Sequence, residues 1–154
     1  INRRYHAICQ GVLKEDEGTI DRPIGRHPAD RKKMAVNEKN GKRAVTHYRV
    51  LERFRSHTYI ECVLETGRTH QIRVHMASLG HPLLGDELYG GSWRNIPWKK
   101  SALWQDGAWG KESPRPQGQT LHAKVLGFLH PSTGEYVEVD APLPEYFRQL
   151  LKIL

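Results

Sequence analysis

The sequence predicts an α+β fold: a mixed, mostly antiparallel β-sheet with flanking helices. Three observations predict it. Short runs that alternate apolar and polar residues recur between turn signals, most clearly over residues 58–65. Residues 69–80 abandon that alternation for a helical period, opened by Thr69 and closed by Gly80. Pro142-Leu143-Pro144 then introduces a second helical run over 145–154. The 154 residues amount to one domain, long enough to bury about two thirds of the unfolded surface. A hydrophobic content of 38% is low for that, as in a fragment or in a domain with a large polar binding face.

In chain order, residues 5–13 alternate as a strand that stops at the acidic turn Lys14-Glu15-Asp16-Glu17-Gly18. Residues 22–34 read as a loop, because Pro23 and Pro28 oppose a regular ladder, and the loop carries five basic side chains. Phosphate contacts are expected from Arg26, Arg31, Lys32 and Lys33, which would give affinity and salt dependence without sequence preference. Two strands follow, 44–54 and 58–65, joined by Arg55-Ser56-His57. Val45, Tyr48 and Val50 do not keep one parity, which predicts a bulge or burial on both faces. In the second strand Ile60, Cys62 and Leu64 form the core face, and Tyr59, Glu61, Val63 and Glu65 the other.

The helix over 69–80 is the centre of the chemistry. Thr69 is placed to cap its first free amides, and Gly80 to close it in the left-handed conformation. Ile72, Met76 and Leu79 share a core-facing stripe, with Arg73 at its edge beside His70 and Ala77. A half-desolvated guanidinium stays charged and needs a fixed anion. Arg68, His70, Gln71 and His75 add donors at the same turns, where the helix dipole already favours negative charge. Asp86, in Gly-Asp before a turn, reads as a local cap whose oxygens bind nearby amides. His70, His75 and His81 lie five and six residues apart, spacings that do not put two imidazoles on one helix face, so no metal is expected.

Residues 92–119 form a polar insertion holding Trp93, Trp98, Trp104 and Trp109, which either stack on unpaired bases or pin the loop to the body, the second being slightly favoured. A strand over 120–129, a turn at Pro131-Ser132-Thr133-Gly134 and a strand over 136–140 make a hairpin. The last helix turns Tyr146, Leu150 and Leu151 inward.

The net charge of +7 is unevenly placed. Residues 22–55 hold 11 basic and 3 acidic side chains, a band of +8, so the remainder carries −1. Such a band points to a polyanion as partner. Cys9 and Cys62 lack the spacing of a zinc motif or a disulfide framework and read as reduced core residues of a cytoplasmic protein. No apolar run approaches the roughly 20 residues of a membrane span, and no membrane partner is expected.

Gly67-Arg68-Thr69-His70-Gln71-Ile72-Arg73-Val74-His75, then Leu79-Gly80-His81-Pro82-Leu83-Leu84-Gly85-Asp86 and Tyr89-Gly90, resembles the signature of RNA pseudouridine synthases of the RluA/RluC/RluD group. Arg3-Arg4-Tyr5-His6-Ala7, Arg26-His27-Pro28 with Met34, Thr46-His47-Tyr48 and Leu121-His122-Ala123 fit it in the same order. The resemblance implies uridine isomerisation in RNA, large-subunit rRNA above all, with no cofactor. It also implies that Tyr5 lies against the base, Leu121 near the base pocket, and Arg73 in an ion pair with a nucleophilic aspartate. That family's His-Arg-Leu-Asp segment has no match here. The chain starts at Ile1, just before the tyrosine motif, so it is expected to be the C-terminal part of one catalytic domain, inactive alone. Two further expectations follow: Arg73 awaits an anion from outside these residues, and a carboxylate found on it from within would leave the enzyme resting on likeness alone. When complete the protein is expected to be a monomer; the isolated piece would associate through exposed sheet edges. The alternative is a non-catalytic RNA-binding domain on the same scaffold.

Overall fold

The computed structural model describes residues 3–101 and 118–154. Alternation along the chain builds one six-stranded sheet from β1 (Arg3–Gln10), β2 (Glu17–Asp21), β5 (Val45–Arg53), β6 (His57–Leu64), β7 (Leu121–Leu129) and β8 (Tyr136–Asp140). The order is β2-β5-β6-β1-β7-β8, and each of these pairings is antiparallel. Between β2 and β5 lies a separate two-stranded ribbon, β3 (Ile24–Arg26) with β4 (Met34–Val36). Two α-helices complete the fold, α1 (Gln71–Ser78) and α2 (Glu145–Ile153).

The period of two in β1 and β6 decides which helix packs where. Ala7, Cys9, Ile60 and Cys62 point to one face and form a core with Ile72 and Met76 of α1. Ile8 and the half-buried Tyr59 point to the other, where Phe147, Leu150 and Ile153 of α2 join Leu84, Trp93 and Ile96. Burying each such large side chain stabilises by about 1.5–3 kcal/mol. The parity expected for 58–65 is thus observed, as is the bulge, a register shift between Val50 and Glu52 opposite β6. Phe147, fully buried, was not assigned to the inner face from the sequence, whereas Tyr146 and Leu151 are only partly buried.

Three expectations are corrected. Residues 22–34 are not an unbroken loop, because Pro23 precedes β3 and Pro28 lies in the connection, so neither proline removes a ribbon donor. The acidic turn is shorter than expected, and Glu17 already pairs with Arg49 in β2. Gly18 is required there, since a Cβ on it would meet the Tyr48 ring at 2.6 Å. Finally, α1 is buried on two sides rather than along one stripe. Val74 packs with Ile24 and Ala44 under the ribbon, opposite the sheet-facing Ile72 and Met76.

Trp93 and Trp98 pin the start of the insertion, with ring centroids 5.8 Å apart in the α2 core. Trp104 and Trp109 fall outside the described residues.

Candidate active site

The turn that delivers α1 is organised by Gln71 rather than by Thr69. The helix starts after His70, which sits at φ 57 in the left-handed region and makes no side-chain cap. Gln71, 2% exposed, satisfies its whole amide. Its Oε1 accepts from the Arg68 amide at 3.0 Å and from Thr66 Oγ1 at 2.7 Å, and its Nε2 donates to the Val45 carbonyl at 3.0 Å and to Thr46 Oγ1 at 2.9 Å. One side chain therefore ties the helix start to β5 and the end of β6. The other end follows expectation: Gly80 at φ +83 donates to Ala77 O while His81 N returns to Met76 O, a Schellman closure.

His75 continues the same chain of hydrogen bonds. Its Nε2 faces the Arg22 carbonyl at 2.9 Å and must donate, so Nδ1 accepts from Thr46 Oγ1 at 2.8 Å. Burial lowers its pKa below the ordinary value and keeps it neutral. It is an internal strut, not the anion-facing donor the sequence suggested. His81 likewise donates from Nδ1 to the Gln10 carbonyl.

The main correction concerns Arg73. Its guanidinium already has a carboxylate from within the chain: Nε donates to Asp86 Oδ2 and Nη2 to Asp86 Oδ1, both at 2.9 Å. Asp86 is 1% exposed and Arg73 13%, so this is a buried bidentate pair. Asp86 is not the side-chain cap predicted for it; only its backbone serves the turn, the amide donating to Leu83 O and the carbonyl accepting from Tyr89 N and Gly91 N. The hydrogen bonds that Arg73 donates to Asp86 raise the Arg73 pKa above its ordinary value. Arg73 Cζ also lies 5.0 Å from the centre of the Tyr89 ring. Nη1 keeps no partner among the described residues.

Tyr89, which sequence reasoning missed, links the site to the basic ribbon. Its hydroxyl accepts from the Met34 amide at 3.0 Å and lies 2.6 Å from His70 Nδ1. Which of the two donates is set by the imidazole tautomer, and either way Nδ1 is occupied by Tyr89. Burial, and then the charge of Arg73, lower the His70 pKa, so the ring is neutral near pH 7.

A pocket opens between β1, the first residue of β7 and the start of α1. Arg3, Tyr5, Arg68, His70, Arg73 and Leu121 line it, and no carboxylate does among the described residues. Tyr5, Arg73 and Leu121, 116 residues apart from first to last, are thereby brought together. Tyr5 serves in two ways, since it also packs against the α1 core. Arg68 is partly engaged inside the fold, its Nε donating to the Arg43 carbonyl at 2.8 Å. Arg26, Arg31 and Lys32 stand exposed and Lys33 half-buried on the ribbon, and no carboxylate pairs with these four among the described residues. Cys9 and Cys62 are free and buried, the Cys9 thiol pushed up to about 12, so neither serves as a nucleophile.

A family model described as RNA pseudouridylate synthase matches residues 1–78. The whole chain is 52% identical to a ribosomal large subunit pseudouridine synthase D of Pseudomonas aeruginosa, covering 46% of that protein. It is 50% identical to an RNA pseudouridine synthase of Bacillus subtilis, covering 44%. The chain therefore spans a little under half the length of these relatives. Among solved structures, the human RNA pseudouridylate synthase domain containing 1 superposes with TM-score 0.67 at 30% identity, over 92% of this chain and 54% of the other. Human RNA pseudouridylate synthase domain containing 4 gives 0.66 at 27%, over 98% and 61%.

Proposed function

The chain belongs to the RNA pseudouridylate synthase family, and from that premise we propose that it forms the base-receiving part of an enzyme that converts specific uridines of large-subunit rRNA to pseudouridine. With Asp86 already on Arg73, the enzymatic reading rests on likeness to the relatives, and one observation accords with it: Tyr5, Arg73 and Leu121 line a single pocket that no described carboxylate enters. In the reaction the uracil N1–C1′ bond breaks and N1 takes a proton, the base turns, and C5 bonds to ribose C1′ as it gives up its hydrogen. The target base leaves its stack to reach the pocket, with Tyr5 against its ring and Leu121 beside it. The nucleophile is an aspartate from outside these 154 residues. Asp86 fixes Arg73 through two of its nitrogens, and Nη1 is the edge offered to that aspartate. A guanidinium held in place in advance keeps the nucleophile ionised without reorganising during the reaction.

Arg26, Arg31, Lys32 and Lys33 supply phosphate contacts on the ribbon, with Arg68 and His70 closer to the pocket. No cofactor is required. The enzyme is cytoplasmic and monomeric when complete; the 154 residues alone are inactive and associate through the edge of β8, where Tyr136 and Val139 are exposed beside Leu126 and Leu129 of β7. The Arg73–Asp86 pair favours one rival, since a guanidinium that already has its carboxylate suits a non-catalytic RNA-binding domain.

Tritium release from rRNA labelled at uracil C5 separates the two. The full-length protein is expected to release label, and the 154-residue chain to bind the RNA and release none. No release by the full-length protein would favour the binding domain. Release by the short chain would place the nucleophile inside it.

A further inference from the structure

We propose that Arg3 holds a backbone phosphate beside the target nucleotide, in the same pocket as Tyr5 and Leu121. This rests on the function proposed above. Arg3 Nε is buried without a hydrogen-bond partner, and the guanidinium meets no acceptor among the described residues. Arg3 as a whole is only half-buried and lines the pocket, an arginine cannot lose its proton there, and with Nε enclosed it is the two terminal nitrogens that are open to an incoming anion.

The other basic side chains of the pocket each spend part of their donors inside the fold. Arg73 holds Asp86, Arg68 Nε holds the Arg43 carbonyl, and His70 Nδ1 is taken by Tyr89. Gly67 leaves the space Arg3 uses, because a Cβ there would come within 2.4 Å of Arg3 Nη1. The position reads as an anion site for three reasons: a half-buried guanidinium with no acceptor among the described residues, a glycine that clears the space at its Nη1, and a lining without acid.

Phosphate is the anion that fits. Arg3 and Tyr5 lie two residues apart on β1, and side chains at that spacing share a face about 6–7 Å apart. An oxyanion on Arg3 thus sits next to whatever base reaches Tyr5. The planar fork of arginine suits two phosphate oxygens. RNA carries such a group at every nucleotide, so the base that enters brings the anion with it.

Full-length protein and short rRNA fragments with single methylphosphonates around the target uridine test this, read by filter-binding affinity and by tritium release. One neutralised phosphate within a nucleotide of the target should weaken binding about tenfold to a hundredfold. Arg3→Gln should weaken binding of unmodified RNA by a similar factor, become insensitive to that one methylphosphonate, and keep kcat within about threefold. Arg3→Lys should recover part of the loss. Unchanged affinity of Arg3→Gln, or a fall in kcat at unchanged affinity as for a carboxylate-holding arginine, would overturn the proposal. Should Arg3→Gln not fold, a scan of the unmodified protein that finds no sensitive phosphate next to the target overturns it equally. Absence of tritium release by the unmodified protein is a separate result, and it counts against the enzymatic function.

Discussion

Arg73 and Asp86 show what a single side chain discloses in a sequence and what it conceals. The need for an anion followed from the chemistry of a half-buried guanidinium, and it is met. The partner was hidden, because Gly-Asp ahead of a turn looks local, while the path back to α1 depends on the shape of residues 83–91. That shape is tight: a Cβ on Gly91 would lie 2.2 Å from the Leu83 carbonyl oxygen. With Asp86 1% exposed, Asp86→Ala leaves a buried charge unpaired and should destabilise the protein by about 3–5 kcal/mol. Arg73→Met with Asp86→Leu removes both charges and should be near neutral. Urea denaturation of the two variants checks both; a loss below about 1 kcal/mol for Asp86→Ala would show that the pair is not a buried one.

Among the secondary-structure elements, α1 was the easiest to recognise and the hardest to delimit. Its C-terminus was legible because glycine is the usual residue at a left-handed closure. Its N-terminus was not, because no side chain caps it: a glutamine at its first position ties down the preceding turn and a histidine adopts the positive φ. The ribbon was missed for a related reason, since its two strands have only three residues each. The neutral state of His75 gives α1 a pH dependence. Its pKa, like those of His57 and His70, is lowered from 6.5 by burial, so below that value the unfolded chain binds protons the folded chain refuses. Stability from these groups is complete above pH 6.5 and lost as the pH falls toward their depressed values. The Glu61 carboxyl, raised by burial but lowered more by hydrogen bonds from His6, Arg49 and Arg4, titrates below 4.5 and adds its loss only there. Thermal melting should therefore show Tm falling between about pH 6.5 and 5. A constant or rising Tm across that window would contradict the burial assigned to the three histidines.

For the molecule as a whole, the α+β class, the hairpin of β7 with β8 and both long helices were legible, because each rests on periodicity within one segment. The meeting of Tyr5, Arg73 and Leu121 was not, since periodicity says nothing about which strand neighbours which. Only the motif resemblance linked them, and the sheet order supplies the reason: β1 lies between β6 and β7, so Tyr5 is flanked by Cys62 on one side and Ala123 on the other. The same order puts the start of α1, which follows β6 directly, over that junction.

The central claim is that Arg73, fixed by Asp86, serves a carboxylate that attacks uridine. Tritium release and RNA affinity of the full-length protein carrying Arg73→Met with Asp86→Leu test it most directly, because that pair removes the guanidinium without leaving a buried charge. Turnover is predicted to fall by at least about a thousandfold while affinity stays within about threefold. Turnover near that of the unmodified protein would contradict the claim and remove Arg73 from the chemistry.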